Sequence, residues 1–126
     1  MTDLVVGLGL TSDATLEGVR DVIEAALVQV GCGWDDVVTV ATTVRRRNHP
    51  AVLGLTAGGA DLVVYEPSAL AAITVPNPSA AVGERAGTTS VAEAAALLAA
   101  GTEVLLLPKQ LGLGVTVALA ERSPAA

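Results

Sequence analysis

The fold class follows from one short segment, Leu4-Val5-Val6-Gly7-Leu8-Gly9-Leu10, and from what comes directly after it. The segment is short, apolar and β-branched at its start, which is typical of a buried strand. Turn and cap residues follow it, and from about Leu16 to Val30 apolar residues recur at helical spacing on one face. Gly31 stands where a helix commonly ends. A strand that leads through a short turn into an amphipathic helix indicates an α/β domain.

The rest of the chain continues this alternation. We predict further strands over Asp36–Thr42, Asp61–Tyr65, Glu103–Leu107 and Gly114–Ala120, and further helices over about Pro50–Ala57, Pro67–Ile73 and Val91–Ala100. Between the last two strands, Pro108–Leu113 is predicted to be a turn that is too short for a parallel crossover, so these strands should form an antiparallel hairpin. The predicted fold is a single α/β domain over residues 1–126, with flanking helices, a mixed, mostly parallel sheet of about five strands and a C-terminal hairpin.

Composition limits the class of protein. Hydrophobic residues make up 52% of the 126 residues but aromatic residues only 2%, so the core must consist of Val, Leu, Ala and Ile. The longest apolar region, Val104–Ala120, is interrupted by Pro108-Lys109-Gln110 and cannot supply the roughly 20 apolar residues of a membrane-spanning helix. The start of the chain has no basic region typical of a signal peptide, and Cys32 has no second cysteine to pair with. We expect a soluble, cytoplasmic protein with no membrane partner, metal site or cofactor.

The charged residues suggest an anionic ligand. The net charge of −6 argues against a general nucleic-acid binder. The cations are unevenly spread, because Arg45, Arg46 and Arg47 are adjacent, and Lys109 is another candidate. A local basic patch on an acidic chain favours a specific anionic ligand over an extended phosphate backbone. A solvated charged loop is the alternative, and it is the commoner one.

A long polar stretch, Val75–Ser90, leads into the predicted helix Val91–Ala100. The sequence Ser90-Val91-Ala92-Glu93 has the capping-box pattern, in which serine and glutamate side chains accept each other's backbone N–H groups. Ahead of it, Gly87-Thr88-Thr89 would bring backbone donors and two hydroxyls to the positive end of the helix, where an anion is stabilised. Irregular segments of about fifteen residues are often functional, although a plain surface loop is an equal alternative.

The glycines of the first strand allow two interpretations. Gly7-Leu8-Gly9 ahead of a helix is similar to a phosphate-binding turn, but the third glycine of the dinucleotide fingerprint and the Walker lysine are both missing. Tight packing of the strand against a helix is the slightly favoured alternative. In open α/β sheets ligands bind beyond the carboxyl ends of the strands, which here gather Gly7–Ser12, Thr42–His49, Glu66 and the loop at Asn77.

His49 is the one histidine of the chain. It is a candidate general acid or base. A metal site is not indicated, because no cysteine or carboxylate stands at ligand spacing to it. A loop histidine directly before a proline is more often the N-terminal cap of a helix, which is the alternative role.

Several segments together resemble a known family. They are Gly7-x-Gly9 ahead of a helix, Ala41-Thr42, Asn77-Pro78-Ser79, Gly87 through Ala96, Pro108-Lys109 and Val115 through Ala118. The chain resembles the CobE family, which corresponds to the C-terminal domain of CbiG in cobalamin biosynthesis. The resemblance covers nearly the whole chain, and its most specific part is Asn77–Glu93.

The resemblance implies action on a corrin-ring precursor. Relatives of the CbiG type open a lactone on a cobalt-precorrin and release acetaldehyde, whereas the stand-alone CobE type, whose length this chain has, has a less settled role. Two segments depart from the family. Leu10-Thr11 replaces the Cys-Arg that often follows Gly9, and Val44, Arg46 and Asn48-His49 replace an Asp, a Lys and an Asp-Glu pair. His49 would then take over any acid–base role, and Arg46 could hold a carboxylate bidentately.

On this resemblance the chain is expected to bind a precorrin-type tetrapyrrole with several carboxylates and to assist lactone opening in a precorrin-5-like intermediate. Candidate catalytic residues are His49 as acid or base, and Thr42 or Ser12 to orient water. Candidate ligand-binding residues are Gly7, Gly9, Thr11, Arg45, Arg46, Arg47, Asn77, Ser79, Gly87, Thr88, Thr89, Ser90, Glu93 and Lys109. The alternatives are a non-catalytic carrier that passes a corrin intermediate to other cobalamin-pathway enzymes, and a small nucleotide-binding module.

Overall fold

The structure, a computed structural model, describes residues 3–73, 91–102 and 104–122. The strands of this part of the chain are β1 (Leu4–Leu10), β2 (Val37–Thr43), β3 (Asp61–Tyr65), β4 (Leu107–Gly112) and β5 (Val115–Glu121). The α-helices are α1 (Leu16–Gln29), α2 (Pro50–Thr56), α3 (Pro67–Ala71) and α4 (Val91–Ala100), and short 3₁₀ turns cover Trp34–Asp36 and Val44–Arg46. Apart from β4, the predicted elements agree with these bounds to within two residues at each end.

The strands form one mixed sheet in the order β3-β2-β1-β5-β4. Strands β1, β2 and β3 are parallel to one another, while β5 pairs antiparallel with both β1 and β4. Helices cover both faces: α1 and α2 pack on one, and α3 and α4 pack on the other. The predicted α/β fold, with its mixed five-stranded sheet and its C-terminal hairpin, is confirmed.

The fourth strand is where the prediction was wrong. The predicted strand Glu103–Leu107 contributes only its last residue, since β4 begins at Leu107 and runs through most of the predicted turn. The chain reverses instead in two residues, Leu113 and Gly114, whose φ angles are +55° and +73°. Positive φ at both positions is what a type I′ hairpin turn requires, and such a tight turn lets the strands pair up to Gly112 and Val115.

Strand β4 also contains a β-bulge. Leu107 pairs with Leu119 but Gln110 pairs with Val117, so one extra residue is inserted on β4. Pro108 lies in this interval, and proline is tolerated at bulges and edge strands because it has no N–H to give to the ladder.

The two faces of the sheet have different cores. The α1 face buries large aliphatic side chains, among them Leu4, Leu8, Val19 and Ile23. The α4 face buries mainly alanines, and Leu70 of α3 is one of its few large buried side chains. Helix α4 therefore lies very close to the sheet. A Cβ atom added at Gly7 would overlap the carbonyl oxygen of Ala92 and would come within 2.8 Å of the Cβ of Ala96.

Candidate functional site

The carboxyl ends of the parallel strands β1, β2 and β3 lie at one edge of the sheet, which we call the carboxyl edge. Thr11 and Ser12 follow β1 there, and the segment Val44–His49 follows β2. The β4–β5 turn reaches the same edge, because the Thr11 N–H donates to the Gly114 carbonyl at 3.0 Å. The carboxyl edge is the usual location of ligand sites in such sheets.

Three side chains after or at the end of β2 hold the segment that leads out of β1. Thr42 Oγ1 donates to the Leu8 carbonyl (2.6 Å), Arg46 Nε donates to Leu10 (3.0 Å), and His49 Nε2 lies 3.2 and 3.1 Å from the carbonyl oxygens of Thr11 and Ser12. Side chains from one neighbouring segment thus contact four backbone carbonyls, those of Leu8, Leu10, Thr11 and Ser12. We call Thr42, Arg46 and His49 the clamp, because together they fix the position of one strand end relative to the other.

His49 has a structural role at both ring nitrogens. Its Nδ1 accepts the Ala51 N–H at 3.1 Å and caps helix α2, which begins at Pro50. Because a backbone N–H is only a donor, Nδ1 carries no proton, and Nε2 is the protonated nitrogen that faces the two carbonyl oxygens. The capping alternative is therefore observed, and a role as general acid or base would require this arrangement to open.

The two other catalytic candidates differ in exposure. Thr42 is 0% exposed and its hydroxyl hydrogen is committed to Leu8, so it has no contact with solvent and does not fit the predicted role of orienting water. Ser12 is exposed, and it contributes its carbonyl oxygen to the bond with His49.

The three arginines are not equivalent. Arg45 and Arg47 are exposed, whereas Arg46 is partly buried and uses its Nε in the clamp. Because Nε is used in this bond, Arg46 can bind a carboxylate bidentately only through its two Nη atoms. Arg45 lies at the start of the 3₁₀ turn, and its backbone N–H is 3.4 Å from the Thr43 hydroxyl. The exposed cations of this segment are thus Arg45 and Arg47.

Glu93 and Lys109 are joined through a backbone bond. Glu93 lies in the first turn of α4 with 0% exposure, and its Oε2 accepts the Lys109 N–H at 3.1 Å. The bulge in β4 makes this possible, since it turns the Lys109 N–H away from the β5 ladder. The carboxylate also lies near the positive end of the helix, where negative charge is stabilised. The other predicted ligand-binding residues of this region, Asn77, Ser79, Gly87, Thr88, Thr89 and Ser90, lie outside the described residues.

Gly7 and Gly9 lie on the α4 face but in different surroundings. Helix α4 fills the space above Gly7, so this glycine serves the packing of helix on strand and leaves no room for a phosphate group. Above Gly9 a Cβ atom would meet only ordinary contacts, the nearest being Val91 Cβ at 3.7 Å. The packing interpretation is therefore correct for Gly7, and the nucleotide-binding hypothesis loses its main residue.

Gly9 belongs to a row of residues that crosses the whole sheet on the α4 face. Its members, from edge to edge, are Leu111, Thr116, Gly9, Thr43 and Tyr65. The pairs Leu111–Thr116, Thr116–Gly9 and Thr43–Tyr65 are direct ladder partners, and Gly9 and Thr43 each lie two residues beyond the pair Gly7–Ala41. We call this set the Gly9 row. Gly9 is the one member of the row that was predicted from the sequence as a site residue. The other four are brought into line with it by the strand registers.

Two titratable groups near the carboxyl edge are perturbed. The Thr11 hydroxyl donates to Asp13 at 2.7 Å and, helped by a backbone hydrogen bond, lowers the pKa of that carboxyl from its ordinary value. Burial raises the pKa of the Tyr65 phenol above its ordinary value of 10.0, and the group is neutral at physiological pH with or without this shift. Among the described residues, no three His, Cys, Asp or Glu side chains are close enough to hold a metal ion.

A separate cleft of about 230 Å³ lies on the other face, between α1 and α2. The Arg20 guanidinium lies 5.6 Å from the centre of the Trp34 ring there, and Trp34 Nε1 donates to Glu24 at 3.0 Å. Of the predicted site residues that the structure describes, none lines this cleft. In the described part of the chain, no helix is both long enough and apolar enough to span a membrane.

Comparison with known proteins agrees with the resemblance noted in the sequence. The sequence model of the family described as "Cobalamin synthesis G C-terminus" matches residues 4–120. "Protein CobE" of Sinorhizobium sp is 36% identical over 121 residues, which cover 93% of this chain and 79% of that protein. "Cobalt-precorrin-5A hydrolase" of Priestia megaterium is 27% identical over 118 residues, which cover 93% of this chain but only 32% of the hydrolase, so the chain spans about a third of that relative.

The fold agrees as well. The crystal structure of CobE, a protein from the cobalamin (vitamin B12) biosynthetic pathway, superposes with a TM-score of 0.82 at 27% identity. The match covers 94% of this chain and 92% of CobE. The chain therefore belongs to the cobalamin synthesis G C-terminus family, which includes CobE, and is a protein of cobalamin biosynthesis.

Proposed function

We propose that this protein binds a precorrin-type tetrapyrrole at the carboxyl edge of its sheet and acts as a carrier of that intermediate. The observation that carries the proposal is the exposure of Arg45 and Arg47 at this edge, in a chain of the cobalamin family whose net charge is −6. Corrin precursors bear acetate and propionate groups on their rim. An acidic protein repels such a ligand overall, so local cations are needed to bind it.

Binding without chemistry fits the described residues better than hydrolysis does. Both nitrogens of His49 are engaged in structural bonds, and Thr42 is buried. Catalysis by either residue would require the clamp to open. A carrier needs no free acid or base, only a surface that holds the macrocycle and its carboxylates.

The experiment is an anaerobic absorption time course of the protein mixed with a lactone-bearing precorrin. A carrier gives a spectral change that saturates at one equivalent and then stays constant. A spectrum equal to that of the free precorrin would contradict the proposal. Arg45→Ala should weaken binding roughly fivefold, because an exposed ion pair contributes up to about 1 kcal/mol, and added salt should reduce the difference.

Arg20→Ala is the matched control for Arg45→Ala. It removes the same charge from an exposed position on α1, beside the cleft between α1 and α2 and away from the carboxyl edge. If the two variants lose affinity equally, the ligand responds to net charge alone and the carboxyl edge is not its site.

Assistance in lactone hydrolysis is the second candidate, and the likeness to the Priestia megaterium hydrolase favours it. In that case the spectral change continues beyond one equivalent and acetaldehyde accumulates. His49→Asn separates the two roles of this residue, because asparagine is a good helix cap but not a general base. Loss of turnover in this variant, with binding and unfolding temperature retained, would favour hydrolysis over the carrier.

A further inference from the structure

Nothing in the described packing requires glycine at position 9. Its φ angle is not in the left-handed region, and an added Cβ would have ordinary contacts with Val91, Thr116 and Ala92, at 3.7 to 3.9 Å. Gly7 is different, because there a Cβ would overlap the backbone of α4. A glycine inside a strand weakens it and often marks a place where a ligand or another backbone approaches closely.

Among the described residues, helix α4 packs over the row that precedes the Gly9 row and does not extend over the Gly9 row itself. The helix covers the preceding row at Gly7, Ala41 and Ala118, and its first turn borders Gly9 through Val91. The row crosses five strands, so it is about 19 Å long at roughly 4.8 Å per strand spacing. Its side chains are short in the middle and larger at the two ends.

The ends of the row are suited to the edges of a flat, partly apolar ligand. Leu111 is 73% exposed on the edge strand β4. Tyr65, at the other end, has an apolar ring and a phenol that is neutral at physiological pH. Arg45 follows two residues after Thr43, a member of the row.

We infer that one face of the tetrapyrrole lies flat across the Gly9 row, over the missing side chain of Gly9, with Leu111 and Tyr65 at its edges and its rim carboxylates towards Arg45 and Arg47. This inference rests on the proposed function and extends it, because it assigns the macrocycle face as well as the carboxylates. Glycine at position 9 is then a determinant of specificity, since it sets how closely a planar ring can approach the sheet.

The test measures the affinity for uroporphyrin III, a planar tetrapyrrole with acetate and propionate groups on its rim, by absorption titration. Gly9→Val should weaken binding about tenfold or more and Gly9→Ala severalfold, because each added carbon lifts the ring from the sheet. Gly9→Ala should unfold at a temperature no lower than that of the wild type, since an added Cβ has only ordinary contacts there. The unfolding temperature of Gly9→Val is measured beside it, so that a loss of affinity is read only from folded protein.

Gly33→Ala is the matched control, because it adds the same methyl group ahead of β2, where no described residue other than its chain neighbours has a heavy atom within 4 Å of the added carbon. It should bind as the wild type does. Leu111→Ser tests the row without any risk to folding, since this side chain is exposed, and should also lose affinity severalfold. Unlike the Arg45→Ala effect, these losses should not shrink in added salt.

The outcomes are distinct. If the wild type binds uroporphyrin III and Gly9→Val and Leu111→Ser bind it equally well, the inference is overturned and the proposed function stands. If the wild type does not bind uroporphyrin III, the inference of a flat macrocycle face on the Gly9 row fails, while the precorrin time course decides the proposed function separately.

Discussion

Helices pack on both faces of this sheet, but the side chains between helix and strand are large on one face and small on the other. The α1 face is filled by long aliphatic side chains such as Leu8 and Ile23, which hold the helix away from the strands. On the α4 face the packed residues are mainly alanine and glycine, so the helix backbone itself lies against β1. The first face should therefore be sensitive to the removal of atoms, and the second to their addition. Close packing also brings the first turn of α4 down to the sheet, where Glu93 reaches β4.

The largest expected effect is on the α1 face. Leu8 is fully buried there, so Leu8→Ala should lower the free energy of unfolding by about 2–5 kcal/mol through lost transfer energy and an unfilled cavity. Urea denaturation measures the change. Val28→Ala is the control, because Val28 belongs to α1, which covers this face, but is 77% exposed. It should change the free energy of unfolding by no more than about 0.5 kcal/mol.

The α4 face should respond to the opposite change. Gly7→Ala adds one methyl group that overlaps the Ala92 carbonyl, so α4 must shift and stability should fall by about 1–3 kcal/mol. Gly9→Ala, two residues away on the same strand, should be neutral or slightly stabilising. Equal unfolding midpoints for the two alanine variants would contradict the close approach of α4.

Glu93 tests whether a polar bond helps to hold α4 to this face. Glu93→Ala leaves the Lys109 N–H without its acceptor and should cost about 2 kcal/mol in unfolding free energy. Glu93→Gln keeps an acceptor oxygen of similar reach and should cost less. Hydrogen exchange at the Lys109 amide should quicken in Glu93→Ala more than in Glu93→Gln. Equally fast exchange in the two variants would show that the negative charge, which both remove, matters more than the presence of an acceptor oxygen.

The smallest effect concerns the loop that leads from β1 to α1. The Thr11 hydroxyl lowers the pKa of Asp13 below its ordinary value of 3.8, so the folded state holds this carboxylate in its charged form more readily than the unfolded state does. The bond therefore stabilises the fold above that pH, and its contribution is lost as the pH falls through the folded-state pKa. Thr11→Val should make the unfolding temperature fall less steeply below about pH 4. The effect should be small, because Asp13 is exposed. An unchanged acid limb would contradict the bond.

Local sequence patterns predicted most of the elements, because strand β1 and helices α1 and α4 each have a clear period and a clear stop signal. They failed at β4, where the apolar run ending at Leu107 looked more like a strand than Pro108–Gly112 did. Pairing with β5 and the turn at Leu113 and Gly114 decided that case, and both are tertiary features.

The candidate site was predictable in location but not in detail. The order of strands and loops placed Arg45 and His49 at the carboxyl edge. It could not show that His49 and Arg46 bind backbone carbonyls, since these bonds depend on how two loops meet. Gly7 and Gly9 look alike in the sequence, and only the position of α4 distinguishes them.

The bulge in β4 has a consequence for the behaviour of the protein at high concentration. Strand β4 lies at the edge of the sheet, beside the exposed Leu111 and Leu113, and such an edge invites a strand from another molecule. Pro108 has no N–H, and the N–H of Lys109 is turned inward to Glu93, so consecutive donors are missing from the start of this edge. An incoming strand would find no continuous ladder there, so this end of the edge is a poor template for pairing with a strand of another molecule.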